Sequence, residues 1–172
     1  MWILSLIPSC HREGEVGLSQ NDQVGIDSVV SACPDIDSLQ SCLRYFERTA
    51  NELGVILAYK ELEVRYREAA RFNEAIGCHR EGLRLAMQRK DTSEVIQALN
   101  NIGTNFRRLG IMDEASNYHY RALSLCERLG DKESYKARKN RTISLSGIGN
   151  VYLTLENCEM ADSIFRIGTY LG

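Results

Sequence analysis

The sequence predicts an all-α protein, and three observations support this prediction. The chain has 172 residues and only two prolines, Pro8 and Pro34, so the residue that most strongly interrupts helices is absent after residue 34. Apolar residues recur at helical spacing from residue 37 onward. Hydrophobic residues make up 44% of the chain and charged residues 26%, a balance that allows a buried core. All-β folds normally require more glycine and proline in their turns than this chain provides.

Charge and cysteine content exclude two broad classes. The formal net charge is -2 at pH 7, so the chain lacks the strong positive field of a typical nucleic-acid-binding protein. Six cysteines in 172 residues are too few for a small domain built on disulfides.

The first helices are predicted from their capping residues. Asp37 followed by Gln40, and Asp91 followed by Glu94, have the spacing of capping boxes. A glycine often ends a helix because it adopts the left-handed conformation without steric cost. Helix ends are therefore predicted at Gly54, Gly110 and Gly130.

Residues 1–10 form an apolar leader that is too short to span a membrane, which takes about 20 apolar residues. Its end, Ile7-Pro8-Ser9-Cys10, resembles the cleavage box of bacterial lipoproteins, which implies that Cys10 is lipidated and attaches the protein to a membrane. The alternative is an ordinary hydrophobic leader that ends at a cysteine. Residues 11–36 are polar and rich in Gly, Ser and Asp, and they are predicted to form a tether with a weak helix.

Residues 37–172 contain a pattern that occurs three times. It consists of an aliphatic residue, a glycine, an aromatic residue, a small residue, a ring and a second small residue at fixed spacing. The middle copy has Ile102, Gly103, Phe106, Ala115, His119 and Ala122. The last copy has Ile148, Gly149, Tyr152, Ala161, Phe165 and Gly168. The first copy has Leu62, Glu63, Tyr66, Ala75, His79 and Gly82, and thus lacks the glycine.

This pattern resembles the tetratricopeptide repeat (TPR). The resemblance implies a right-handed α-solenoid of antiparallel helical hairpins, with about three repeats at residues 56–89, 96–130 and 142–172. The small-residue positions are 40 and 46 residues apart, from Ala75 to Ala115 and from Ala115 to Ala161. Both spacings exceed the family's minimal ~34 residues. Long-period copies of this kind resemble the repeat arrays of bacterial signalling proteins.

The chain ends at Gly172 on an apolar helix, whereas a solenoid normally ends with a polar capping helix. This ending suggests two expectations: that the chain is a truncated product, and that it self-associates through its last repeat.

A repeat array of this type presents the first helix of each hairpin on a concave face. The resemblance assigns Asn101 to a position that hydrogen-bonds a peptide backbone in several members of the family. Arginine suits carboxylates because its guanidinium donates two parallel hydrogen bonds. The predicted binding residues are Lys60, Arg67, Gln97, Asn100, Asn101, Thr104, Arg107, Arg108 and Asn150. The alternative is a solvated polar face without a ligand.

No motif of catalysis or cofactor binding is found, so the protein is predicted not to be an enzyme and to bind no cofactor or metal. Gly147-Ile148-Gly149 lies within a predicted helix and is attributed to helix packing. The resemblance places His119 where the family usually has an aromatic packing residue, so His119 is attributed to packing as well. Cys33 and Cys42 are either buried free thiols or a disulfide if the protein is exported.

The sequence therefore predicts a non-catalytic protein–protein interaction module that binds a protein or peptide. Its expected setting is the sensory or scaffold region of a bacterial envelope signalling protein. A cytoplasmic adaptor or regulator is the alternative, and an α-repeat RNA binder is a weaker one. The basic run from Lys132 to Arg141 is interrupted by acidic residues and has no accompanying aromatic platform, so nucleic acid is not expected as a partner.

Overall fold

The computed structural model describes residues 22–129 and 134–169, and these two stretches consist of α-helices with no strand. The predicted all-α class is therefore confirmed. Contacts divide the chain into two compact units, with the boundary between Tyr66 and Arg67 near the end of the third helix. The helices are α1 (Gln23–Ser31), α2 (Ile36–Arg48), α3 (Glu52–Glu68), α4 (Phe72–Gln88), α5 (Thr92–Arg108), α6 (Met112–Arg128), α7 (Tyr135–Thr154) and α8 (Cys158–Thr169).

Both helix starts that the capping boxes predict follow an aspartate, but one of them is shifted. Asp91 caps α5, and the backbone N–H of Glu94 donates to its carboxylate at 3.1 Å. The cap of α2 is Asp35 rather than the predicted Asp37, because the N–H of Ser38 donates to Asp35 Oδ1 at 2.8 Å. A hydrogen bond from the Ser38 hydroxyl, together with this backbone bond, lowers the pKa of the Asp35 carboxyl.

The three glycines predicted as helix ends have different outcomes. Gly110 follows the last turn of α5 with φ of +78°, as expected for a left-handed helix end. Gly54 does not end a helix: it lies in the first turn of α3, where the ring of Phe46 packs directly on its backbone. The predicted end at Gly130 lies outside the described residues.

Four of the turns between helices share one geometry. In each, a backbone N–H donates to the carbonyl five residues earlier, which is the longer bond of a Schellman motif. The donor and acceptor pairs are Asn51 to Phe46, Asp91 to Ala86, Ile111 to Phe106 and Asn157 to Tyr152, with distances of 2.9–3.0 Å. The residue before each donor has a positive φ: Ala50, Lys90, Gly110 and Glu156. The same short connection therefore follows α2, α4, α5 and α7.

The first unit contains α1, α2 and nearly all of α3. Its core includes the fully buried side chains of Ile26, Leu39 and Phe46. The amide of Gln40 on α2 donates to the hydroxyl of Tyr66 on α3 at 2.7 Å. The close approach of Phe46 to Gly54 is possible because glycine has no Cβ.

The second unit contains α4 to α8, in which each helix packs against the next and α5 also packs against α7. Two hydrogen bonds define the direction of the α5–α7 contact. Asn140 Nδ2 donates to Ser93 Oγ at 3.1 Å, and Asn100 Nδ2 donates to Ser144 Oγ at 2.9 Å. Residue numbers increase together on both helices, so α5 and α7 run parallel. No helix among the described residues is long and apolar enough to cross a membrane.

Candidate interaction face

Helix α5 exposes a single polar stripe, and we use that name for Gln97, Asn101, Thr104 and Arg108. These residues are spaced at i, i+4, i+7 and i+11, which places them on one side of the helix. Gln97, Asn101 and Arg108 are exposed, and Thr104 is half-buried. Four of the nine predicted binding residues are thus brought together.

The remainder of α5 is largely buried because α4, α6 and α7 all pack against it. Its buried positions are Ile96, Ala98, Leu99, Asn100, Ile102, Gly103 and Asn105. The aliphatic side chains of Ile96 and Leu99 form a core with Ala122 and Cys126 of α6. Packing on several sides holds the backbone of α5 in place, so the polar stripe is displayed from a well-supported helix.

Asn100 was predicted to face a partner, but it lies in the interior with 3% of its surface exposed. Its amide oxygen accepts a hydrogen bond from Nδ1 of His119 at 3.0 Å, and its amide nitrogen donates to Ser144. The side chain therefore joins α5 to α6 and α7 and is not available to a surface ligand. Sequence reasoning did not identify Ser144 as a partner of this side chain. The signal that could have found it is a polar serine among apolar residues of α7.

The ring of His119 is wedged between α5 and α7, each of which has a glycine at the point of contact. We call this arrangement the His119 wedge. A Cβ at Gly103 of α5 would lie 2.9 Å from Cδ2 of the ring, and the ring also packs directly against Gly147 of α7. Burial, with a smaller effect from the positive charge of Arg107, lowers the pKa of His119 to about 4. The neutral ring donates through Nδ1, while its buried Nε2 has no hydrogen-bond partner among the described residues. This confirms the predicted packing role of His119.

The two arginines of α5 have different environments. Arg107 is half-buried and close enough to His119 to affect its pKa, so it does not share the polar stripe. Arg108 is exposed, and its guanidinium carbon lies 5.5 Å from the ring centroid of Phe72 on α4. A cation–π contact of this kind restrains the side chain while its donors remain accessible. Arg108 is thus the better placed of the two for an anionic group.

The remaining predicted residues lie on other helices. Asn150 of α7 is half-buried, and its backbone carbonyl accepts a hydrogen bond from Thr154 Oγ1 at 2.8 Å. Arg67 is exposed at the end of α3, where the second unit begins. Lys60 is exposed on α3 within the first unit.

The polar stripe can both donate and accept hydrogen bonds. Gln97 and Asn101 carry amides, Thr104 carries a hydroxyl, and Arg108 adds a permanent cation. Such a set suits the backbone of an extended peptide and a carboxylate near Arg108. Among the described residues, no group of three or more His, Cys, Asp or Glu side chains is arranged to hold a metal ion.

A scan of the chain against models of protein families finds no match, and a search of curated proteins finds no similar sequence. The structure itself defines the class of the protein: its described residues are all-helical and compatible with an α-solenoid. Its likeness to the TPR family remains a prediction from the sequence pattern.

Proposed function

We propose that this protein is a non-catalytic module that binds a protein or peptide through the polar stripe of α5. The observation that carries the proposal is the contrast on α5 itself. Most of the helix is packed against its neighbours, while Gln97, Asn101, Thr104 and Arg108 are aligned on the remaining side. The proposed ligand is an extended segment whose backbone pairs with the amides and whose carboxylate meets Arg108.

The proposal includes a TPR-like arrangement of hairpins in the second unit, formed by α5 with α6 and by α7 with α8. Three observations favour it. α5 and α7 run parallel, as the first helices of successive repeats do. The turns within the two hairpins have the same Schellman geometry. In both hairpins a glycine of the first helix contacts a ring of the second, Gly103 with His119 and Gly149 with Phe165.

Cellular setting is a separate part of the proposal. The leader favours a bacterial envelope protein attached through lipidated Cys10, and a cytoplasmic adaptor is the alternative. Cys10 lies outside the described residues. Expression of the gene with its native upstream sequence, followed by membrane fractionation, tests this part. A wild-type protein in the membrane fraction and a Cys10→Ala variant outside it support lipidation, whereas equal distribution of both contradicts it.

The polar stripe is tested with peptides of known sequence. Peptides are selected from a random library against the full chain, and their affinities are measured by fluorescence polarisation. The double variant Asn101→Ala/Arg108→Glu removes an amide and reverses the charge of the stripe. We expect it to weaken selected peptides by roughly tenfold or more, because each charge-assisted hydrogen bond is worth about 1.5–3 kcal/mol.

A matched control places equivalent changes on the exposed side of α6. The double variant Asn117→Ala/Arg121→Glu makes the same two replacements at exposed positions outside the stripe. Peptides that bind this control and the wild type equally, but lose affinity for the stripe variant, support the proposal. Selected peptides that bind the stripe variant with wild-type affinity would remove the polar stripe as the binding site.

A further inference from the structure

Helix α7 exposes a row of three residues in its first half, Lys136, Lys139 and Ile143. They are spaced at i, i+3 and i+7, which places them on one side of the helix. We use the name lysine pair for Lys136 and Lys139. The direction in which this side of α7 faces, relative to the polar stripe of α5, follows from the contacts that each helix makes with its neighbours.

The packing of α5 defines which way its polar stripe faces. Asn100 points at α7, because its amide donates to Ser144. Ile96 and Leu99 lie in one direction around the helix from Asn100, and they pack on α6. The polar stripe lies roughly 40–100° from Asn100 in the other direction, since each residue advances an α-helix by about 100°. The stripe therefore faces away from α6.

The packing of α7 gives the lysine pair the same direction. Ser144 points at α5, and from it Arg141 and Gly149 lie in one direction around the helix. Arg141 pairs with Glu127 of α6 at 2.8 Å, and the ring of Phe165 of α8 packs against Gly149. The lysine pair lies roughly 80–140° from Ser144 in the other direction. Because α5 and α7 are parallel and adjacent, the lysine pair and the polar stripe are displayed on the same side.

The cations of the lysine pair are available to a partner. Neither lysine forms an ion pair within the described part of the chain. Lys136 lies in the first turn of α7, where the positive end of the helix dipole disfavours a cation, so it does not stabilise the helix. The carboxylates at the start of the neighbouring α5, Asp91 and Glu94, are half-buried. An anionic group from outside the chain would supply the missing opposite charge.

The lysine pair and Arg108 lie at opposite ends of this face. The hydrogen bond from Asn140 to Ser93 places the lysine pair beside the start of α5. Arg108 lies 15 residues further along α5 than Ser93, which corresponds to about 22 Å at the helical rise. An extended peptide covers that distance with about seven residues. The amides of the polar stripe lie between the two cationic ends, and Ile143 adds an apolar side chain that is 41% exposed near the lysine pair.

We propose that the lysine pair is a second anion-binding subsite of this face, so that the partner of the polar stripe is an acidic segment with carboxylates at both ends. This inference rests on the proposed function and extends it. One carboxylate meets Arg108, and the backbone of the segment follows the amides of α5. A further carboxylate, about six residues away along the segment, meets the lysine pair. An apolar side chain next to that carboxylate packs on Ile143.

The probes are peptides selected from a random library against the full chain. We expect acidic residues to be enriched at two positions about six residues apart. The affinity of the strongest peptide is measured by fluorescence polarisation for the wild type and for Lys136→Glu/Lys139→Glu. Reversal of both charges is expected to weaken binding roughly fivefold or more, because attraction becomes repulsion. Affinity for the wild type is also expected to fall as the salt concentration rises, since exposed charges are screened.

Two further variants separate the subsite from the overall charge of the protein. Arg121→Glu/Arg128→Glu makes the same change in net charge at two exposed positions of α6. This control is expected to alter affinity by less than about twofold. Lys136→Arg/Lys139→Arg keeps both cations and is expected to bind within about twofold of the wild type. Helical content measured by circular dichroism verifies that each variant is folded.

The possible failures are distinguishable. A peptide that loses affinity for Asn101→Ala/Arg108→Glu, yet binds Lys136→Glu/Lys139→Glu as tightly as the wild type, would overturn this inference while the proposed function stands. Equal weakening by the lysine variant and by the α6 control would overturn it too, because overall charge would explain the loss. A peptide that is insensitive to the stripe variant contradicts the proposed function and, with it, this inference.

Discussion

The two hairpins of the second unit share one contact but place it in different surroundings. In the hairpin of α5 and α6, a Cβ at Gly103 would lie 2.9 Å from the ring of His119. In the hairpin of α7 and α8, a Cβ at Gly149 would lie 2.5 Å from the ring of Phe165. Both glycines permit a close approach of backbone and ring that alanine would prevent. The contact within a hairpin is thus the same in both.

The surroundings differ because α7 packs beside the first hairpin. His119 also touches Gly147 of α7 and belongs to a hydrogen-bonded network with Asn100 and Ser144. The ring of Phe165 has no polar atom that requires a hydrogen bond. On the same helix, the side chains of Met160 and Ile167 are 43% and 45% exposed. The ring of the first hairpin is therefore polar and is linked through Asn100 to α7, whereas the ring of the second hairpin is apolar.

The largest expected difference between the hairpins is that the stability of the first one falls at acidic pH, because His119 is buried there. The pKa of His119 is lowered from 6.5 to about 4 in the folded protein, so the unfolded chain binds the proton more tightly. The neutral ring contributes stability that is fully present above pH 6.5 and is lost as the pH falls through 4. The total loss is roughly 3 kcal/mol.

Urea unfolding of the wild type and His119→Phe at pH 7 and pH 4.5 measures this effect. The phenyl ring matches the ring at the equivalent position of the second hairpin. Between the two pH values the wild type is expected to lose about 2 kcal/mol more than the variant. Equal losses in both proteins would show that the acid sensitivity arises elsewhere.

The next effect concerns the glycine that faces the wedge from α7. In Gly147→Ala the added methyl group collides with the buried ring of His119, and the free energy of unfolding is expected to fall by about 1–3 kcal/mol. Gly82→Ala on α4 is the matched control, because no atom lies within 4 Å of its Cβ position. That variant is expected to gain up to about 1 kcal/mol from helix propensity. Thermal or urea unfolding that gives the same sign for both would contradict the wedge.

A smaller effect is expected from the polar network. Ser144→Ala removes the acceptor of the Asn100 amide and leaves a buried donor unpaired, which costs about 1–2 kcal/mol. Ser124→Ala on the exposed side of α6 is the control and is expected to change stability by less than about 0.5 kcal/mol. If the two alanine variants unfold at the same urea concentration, the network adds nothing to stability.

Changes on the surface of the second hairpin are expected to have the smallest effect on stability but a large effect on self-association of the protein. Met160, Ile164 and Ile167 form an apolar stripe at i, i+4 and i+7 on α8, and the first and last are exposed. We propose that this stripe mediates self-association. Sedimentation velocity of the wild type at increasing concentration should detect oligomers that Met160→Glu/Ile167→Lys lacks, with stability changed by about 0.5 kcal/mol or less. A wild type that stays monomeric throughout contradicts self-association.

Most helices were predictable from sequence because their signals are local. The N-cap at Asp91, the left-handed end at Gly110 and the apolar spacing of α4 to α8 require only neighbouring residues. The cap of α2 was misplaced by two residues because Asp35 and Asp37 both fit the local pattern. The prediction of a helix end at Gly54 was wrong. A glycine is needed there because the ring of Phe46 packs on its backbone, and a local sequence pattern does not reveal that contact.

The candidate site was predictable only in part. Helical spacing alone places Gln97, Asn101, Thr104 and Arg108 on one side of α5. The same spacing could not distinguish Asn101 from Asn100, which are adjacent amides of identical chemistry. One is exposed, and the other bridges α6 and α7 in the interior. The packing of α7 on α5 decides between them.

The sequence by itself determined the all-α class, the ends of several helices and the alignment of the polar stripe, because these depend on backbone preferences and on the helical period. The tertiary structure decided which polar side chains are buried and why Gly147 and Gly54 must lack a side chain. These features depend on residues that are distant in the chain or lie across a turn, and their energies arise from desolvation and close packing.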